Sequence, residues 1–177
     1  SAAENATELI NEILNSVLTS QGEKDFIKSE VNIQFLVKEC VSLLKVKANE
    51  KKQRLILKSY DDIYILANKE KLWRVFNNII INAIKFSHER TIIEIDIIDE
   101  ENKVVISITD NGIGLPQDFE HQVFDMFTET KRLGTAGEKP FGLGLSISKQ
   151  IVEAHNGKIW FENNPTGGTI FYIQLPK

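Results

Sequence analysis

Residues 72–85 read Leu72-Trp73-Arg74-Val75-Phe76-Asn77-Asn78-Ile79-Ile80-Ile81-Asn82-Ala83-Ile84-Lys85, inside a helical pattern that runs from 68 to 86. Leu72, Val75, Phe76, Ile79, Ile80, Ala83 and Ile84 recur at helical spacing and cover most of the circumference, which predicts a helix buried on most sides. Arg74, Asn78, Asn82 and Lys85 fall within roughly 80° of one another and make one polar stripe. An ordinary solvated stripe is filled with Glu, Lys and Gln. Asparagine is a poor helix former, because its side chain competes for backbone hydrogen bonds. Two on one stripe, with Asn77 beside them, therefore invite a second reading. An amide oxygen can bind Mg²⁺ without adding charge repulsion toward phosphates, and Lys85 offers a cation to a phosphate oxygen. On this segment alone, solvated face and phosphate–metal face both stand.

The chain around this helix has 177 residues, 42% hydrophobic and 26% charged, enough for one ordinary domain with a real core plus a short appendage. The net charge of −4 argues against a protein that coats nucleic acid or anionic lipid. A single cysteine, Cys40, excludes an intrachain disulfide framework and a cysteine-rich zinc site, and reads as a core residue. No apolar run approaches the roughly 20 residues that span a bilayer. Ser1-Ala2-Ala3-Glu4 lacks the character of a signal peptide, so a soluble, intracellular chain is expected.

Leu9, Ile10, Ile13, Leu14, Val17 and Leu18 predict an amphipathic helix that stops near Gln21-Gly22, before a polar break. It either packs on its own domain or pairs with another chain. A second helix is expected from about 34 to 52, then strands at 54–58 and 63–67 joined through Ser59-Tyr60-Asp61-Asp62. Residues 91–99 and 103–110 alternate apolar and polar around Asp99-Glu100-Glu101-Asn102 and read as a hairpin. The stretch 111–142 has little periodicity and reads as a long functional or mobile loop, with a short helix near 120–126. A helix from Gly144 to His155, ended by Gly157, precedes a closing hairpin of 158–162 with 169–175. The sum is an α+β sandwich, helices on one face of a mixed, mostly antiparallel sheet.

Two further segments and three histidines could carry chemistry. Asp110-Asn111-Gly112-Ile113-Gly114 leaves a strand; its carboxylate can accept from an exocyclic amine and its glycines let a flat ligand approach, though Asp-Asn-Gly is also plain turn chemistry. Gly142-Leu143-Gly144-Leu145 enters a helix, where free N–H groups and the dipole attract phosphate, or where a glycine hinge suffices. Leu143 stands where a Walker A loop needs lysine, and no G-x-G-x-x-G occurs. His155 lies at a helix end, where a cation complements the dipole; His121 has no evident partner; His88-Glu89 falls in a turn and is a poor catalytic candidate. No metal-ligand histidine cluster or nucleophile elbow is present.

In order, these motifs resemble the ATP-binding domain of sensor histidine kinases, within the wider family of gyrase, Hsp90 and MutL. Residues 78–87 resemble its asparagine box, 110–116 its first glycine box and Phe124-Asp125-Met126-Phe127 its phenylalanine box. Residues 142–147 resemble its second glycine box and Gly167-Gly168-Thr169 its last. The resemblance implies a Bergerat-type two-layer fold over residues 30–177, a linker at 22–29, and the end of a dimerisation helix at 1–21. It implies that Asp110 accepts from the adenine amino group, with a water shared by Thr169. Asn82 and Asn78 would hold Mg²⁺ against the triphosphate, Lys85 would meet phosphate, and Phe86 would stack near the adenine. Gly112 and Gly114 would admit the base. Gly142, Leu143, Gly144 and Leu145 would hinge a lid and present amides to phosphate, while Phe124 and Phe127 anchor its start. An arginine often follows the phenylalanine box closely in this family; here Thr128-Glu129-Thr130 intervene, which leaves Lys131 or Arg132 as the γ-phosphate cation.

The resemblance further implies a protein-histidine kinase fragment whose cofactors are ATP and Mg²⁺. Its partners would be a dimerisation domain carrying the acceptor histidine and a response regulator, with no nucleic acid and no membrane contact. The whole protein would be a homodimer, cytoplasmic in this part and open to membrane anchoring elsewhere. No His-Glu-x-x-x-Pro acceptor context occurs here, so self-phosphorylation by this chain is not expected. Two alternatives compete. A gyrase- or Hsp90-like ATPase needs a glutamate base four residues before the metal asparagine, where Asn78 stands. The other is a non-catalytic nucleotide-sensing interaction module; a module that kept the fold but lost its nucleotide contacts is disfavoured, because Asp110, Asn82 and both glycine boxes are present.

Overall fold

The computed structural model describes residues 26–115, 123–124, 135 and 144–177. The expected helix at 1–21 and the first half of the linker, 22–25, lie outside them. So does the expected helix near 120–126, apart from Val123 and Phe124.

In chain order the elements are β1 (Ser29–Asn32), α1 (Ile33–Glu50), β2 (Arg54–Leu57), β3 (Tyr64–Ala67) and α2 (Lys69–Phe86). Then come β4 (Ile92–Asp99), β5 (Lys103–Thr109), α3 (Gly144–Ala154), β6 (Lys158–Asn163) and β7 (Thr169–Pro176). The main sheet has the order β2-β4-β5-β7-β6, all antiparallel except the parallel pair β2–β4. Register explains its buried face. Ile95, Ile108, Phe171 and Phe161 lie in one cross-strand row, and Ile97, Ile106, Ile173 and Ile159 in the next. Because side chains alternate along a strand, these rows face the helices together, while Asp96, Ser107, Tyr172 and Trp160 share the other face. The two-layer sandwich and both hairpins are as the alternation predicts.

The expected strands form at 54–57 and 64–67, and they do not pair with each other. β2 joins β4 at the sheet edge, and β3 pairs antiparallel with β1 in a separate two-stranded sheet. Four-residue strands carry too little pattern to name a partner. On α1 the core face is Ile33, Leu36, Val37, Cys40, Val41, Leu44 and Ala48, whereas Phe35, Leu43 and Val46 are exposed.

Both long helices start at an asparagine whose side chain accepts a first-turn amide: Asn32 from Phe35 N and Asn68 from Lys71 N, each at 3.0 Å. Gly157 was expected to end α3. Asn156 instead takes the left-handed turn, at φ 58°, and Gly157 N closes the helix on the Val152 carbonyl at 2.9 Å. Gly157 is needed for space, because a Cβ there would run into the Gln174 carbonyl.

Candidate functional site

Asp110 follows β5 and is 4% exposed. Its Oδ1 accepts the main-chain amides of Gly112 at 3.0 Å and Thr169 at 3.2 Å. Its own amide donates to the Thr169 carbonyl at 2.9 Å, which carries the β5–β7 ladder one pair further. With Oδ1 committed to two amides, Oδ2 is the acceptor left for a ligand. Burial pushes the carboxyl up to about 6, against the opposing pull of the two amides, so it is ionised at neutral pH.

Two glycines make room around this carboxylate. A Cβ on Gly112 would strike the Phe86 carbonyl, and Gly168, at φ 93°, lies against the Asp110 carbonyl with its absent Cβ 2.6 Å from Oδ1. Gly114 also has positive φ, at 66°. The bridge Ser87–Gly112 and the bond from Ile113 N to the Phe86 carbonyl at 3.3 Å tie this loop to the end of α2. Asp110, Gly112, Thr169 and Phe86 therefore meet at one place.

The polar stripe of α2 is the second wall. Asn78, Asn82, Lys85 and Phe86 are all half-buried rather than solvated, and the Lys85 ammonium sits 5.6 Å from the Phe86 ring centroid. Asn78 Nδ2 donates to Ser148 Oγ at 3.0 Å, and α3 begins against the same amide, since a Cβ on Gly144 would overlap Asn78 Oδ1. The N-terminus of α3 thus abuts the asparagine stripe. Leu145 packs partly buried on the core. Of the remaining expected residues, Phe127, Lys131, Arg132, Gly142 and Leu143 lie outside the described residues. Phe124 packs on Phe161 and Phe171, ring centroids 6.3 and 6.4 Å away.

Several contributors carried no sequence signal. Lys51, 8% exposed, places its ammonium on the carbonyls of Ile84 at 3.0 Å and Lys85 at 2.9 Å and on Thr135 Oγ1 at 2.5 Å. Gln53 Nε2 donates to the carbonyls of Ile84, Ser87 and His88. Together they satisfy the orphan carbonyls at the C-terminus of α2, and the Lys51 charge complements its dipole. A lysine and a glutamine in a turn look like any solvated pair.

His155 reverses an expectation. It is 2% exposed, its Nδ1 meets the Ile151 carbonyl at 2.8 Å and its Nε2 accepts the Asn68 amide at 3.0 Å. An Nε2 that accepts carries no proton, so the ring is neutral; burial, with Lys28 and Lys71 nearby, lowers its pKa. It links the start of α2 to the end of α3 and is no helix-end cation. His88 is exposed in its turn.

Residues 67–177 match the family described as histidine kinase-, DNA gyrase B-, and HSP90-like ATPase. The chain belongs to that family. Within it, the similar proteins are sensor kinases. Sensor protein kinase WalK of Staphylococcus haemolyticus (strain JCSC1435) is 31% identical over 170 residues, 95% of this chain and 28% of that protein. Sensor histidine kinase WalK of Bacillus subtilis (strain 168) is 38% identical over 117 residues, 65% of this chain and 19% of that one. The chain thus spans less than a third of these relatives. A nucleotide-free catalytic domain of histidine kinase ThkA superposes with a TM-score of 0.75 at 31% identity, covering 85% of this chain and 95% of that one. ThkA in complex with response regulator protein TrrA gives 0.78 at 26% identity, over 98% of this chain and 49% of that one. This is an ATP-binding domain of the histidine-kinase type.

Proposed function

We propose that this domain presents Mg-ATP for transfer of the γ-phosphoryl group to a histidine on a dimerisation domain, from which a response regulator receives it. The observation that carries the reading is the buried Asp110 carboxylate, with Oδ1 held by two amides and with Gly112 and Gly168 packed closely around it. That arrangement suits a flat base with an exocyclic amine. Asp110 orients the adenine, Phe86 packs beside it, Lys85 and the amides at the start of α3 meet the phosphates, and Lys131 or Arg132 is the candidate for the γ-phosphate. Such transfer needs positioning and charge neutralisation, with no covalent step by this chain.

The donor set fits Mg²⁺. Among the described residues there is no group of three or more His, Cys, Asp or Glu that could hold a metal. The amide oxygens on α2 are neutral and few, as suits an ion that keeps its waters and is bound largely through substrate phosphates. Asn82 would hold it, its neighbour Asn78 being engaged by Ser148, and it would neutralise the triphosphate.

Residues 30–177 form the ATP-binding unit in this reading, 22–29 the linker, and 1–21 the end of a dimerisation helix in a homodimeric kinase. Among the described residues no helix is long and apolar enough to cross a membrane; a cytoplasmic site of action is proposed, where ATP is available. The ATPase alternative is disfavoured because Asn78, at the position a glutamate base would need, cannot activate water.

The test is phosphotransfer. The chain incubated with radiolabelled ATP should take up no label by itself, and should label a supplied histidine-bearing dimerisation domain from a sensor kinase. Steady release of inorganic phosphate without transfer would favour the ATPase reading instead.

A further inference from the structure

Ser148 lies one turn into α3 and is 2% exposed, yet its hydroxyl faces α2 and receives Asn78 Nδ2 at 3.0 Å. On its other side the same amide is walled by Gly144: a Cβ there would overlap Oδ1 and come within 2.9 Å of both Cγ and Nδ2. The Asn78 side chain is therefore gripped between two residues of α3. A metal ligand needs one free oxygen and little else. An amide bonded through Nδ2 to Ser148 and packed closely against Gly144 suits a different job: it fixes how far the N-terminus of α3 stands from the asparagine stripe.

We infer that Ser148 is a positioning residue and Asn78 a strut. Together they hold the amides at the start of α3 at triphosphate distance from α2, while Asn82, one turn on, carries the metal. This rests on the proposed ATP reading and divides the labour within it. The strut serves the phosphates whether or not a metal is present; Asn82 serves only the metal.

The test measures dissociation constants for ATP, in Mg²⁺ and in EDTA, and for adenosine, by titration calorimetry on the full chain. Ser148→Ala removes the hydroxyl, and Asn78→Ala removes the amide. Each should weaken ATP about three- to tenfold, the worth of one buried hydrogen bond. The double variant should be little worse than either single one, because both remove the same contact. The Mg²⁺/EDTA ratio should be preserved in both and should collapse toward one in Asn82→Ala. Adenosine affinity should be unchanged, which a general loosening of the fold would not allow. Should Ser148→Ala bind poorly folded, Asn78→Ser, a smaller polar residue too short for Ser148, provides the same reading. A parent chain that binds no ATP would refute the proposed function. A parent that binds, with Ser148→Ala indistinguishable from it or with Asn78→Ala abolishing the Mg²⁺ increment, would overturn the strut alone.

Discussion

Asp110 and Thr169 hold each other twice: the Asp110 amide donates to the Thr169 carbonyl at 2.9 Å, and the Thr169 amide donates to Asp110 Oδ1 at 3.2 Å. The second bond turns a strand end into an oriented carboxylate. Its cost is burial, which raises the carboxyl from 3.8 to about 6.

Asp110→Asn should therefore separate stability from binding. The folded state holds the Asp110 proton more tightly than the unfolded one, so stability falls as pH rises from 3.8 to about 6. Above that, the ionised carboxylate costs up to about 3 kcal/mol. The variant should remove this slope and unfold at higher urea at pH 7.5, while its amide donor opposes the adenine amine and weakens Mg-ATP by about ten- to a hundredfold. Parent affinity should also fall below pH 6. Urea melts and calorimetry across pH check both halves; loss of stability together with unchanged affinity would refute the assignment.

His155 should give a slope of the opposite sign. Its folded pKa lies below the ordinary 6.5, so the unfolded state takes up the proton first and stability is lost as pH falls below 6.5. Protonation would set an N–H against the Asn68 amide, between the cations of Lys28 and Lys71 and beside the Phe26 ring. His155→Gln should be less stable at pH 8 and should lose the acid-side slope between pH 7 and 5.5. A parent and variant with parallel pH profiles would contradict the neutral, accepting ring.

Gly168→Ala and Gly167→Ala form a matched pair. Both glycines have positive φ, 93° and 104°, so both substitutions carry backbone strain of about 1–3 kcal/mol. Only at Gly168 would the new methyl group also enter the Asp110 carbonyl, whereas at Gly167 the nearest atom is 4.0 Å away. Gly168→Ala should lose Mg-ATP binding and the greater stability; Gly167→Ala should keep most of its affinity. Calorimetry on the two proteins checks the difference, and equal affinities would show that the close approach does not matter.

Lys51→Met and Gln53→Leu each strip donors from the carbonyls that end α2. Leaving such buried groups unpaired costs about 1–3 kcal/mol apiece, so each variant should lose roughly 2–4 kcal/mol in urea unfolding. Losses under about 0.5 kcal/mol, the usual range for a surface change, would show that these contacts are solvated.

The long elements were legible because periodicity is a physical signal: the apolar faces of α2 and of the β4–β5 hairpin can be buried in only one way. The same pattern fails for β2 and β3, whose four residues each leave pairing to tertiary context. The candidate site is legible in the sequence where it depends on unusual local chemistry, as with asparagines inside a helix or Asp-Asn-Gly after a strand. It was not legible where residues far apart in sequence meet. Ser148 reaches Asn78 across 70 positions, and His155 reaches Asn68 across 87. Nothing local distinguishes such a serine or histidine from its solvated counterparts.

The central claim is that the base sits on Asp110 and the triphosphate on the α2–α3 wall. Amide NMR of the chain, titrated first with adenosine and then with Mg-ATP, tests it most directly. Adenosine should move the Gly112 and Thr169 amides alone; Mg-ATP should move these and add the side-chain amides of Asn78 and Asn82 and the main-chain amide of Leu145. Adenosine shifts gathered away from Gly112 and Thr169, or an Asn82 side chain that Mg-ATP leaves unmoved, would contradict it.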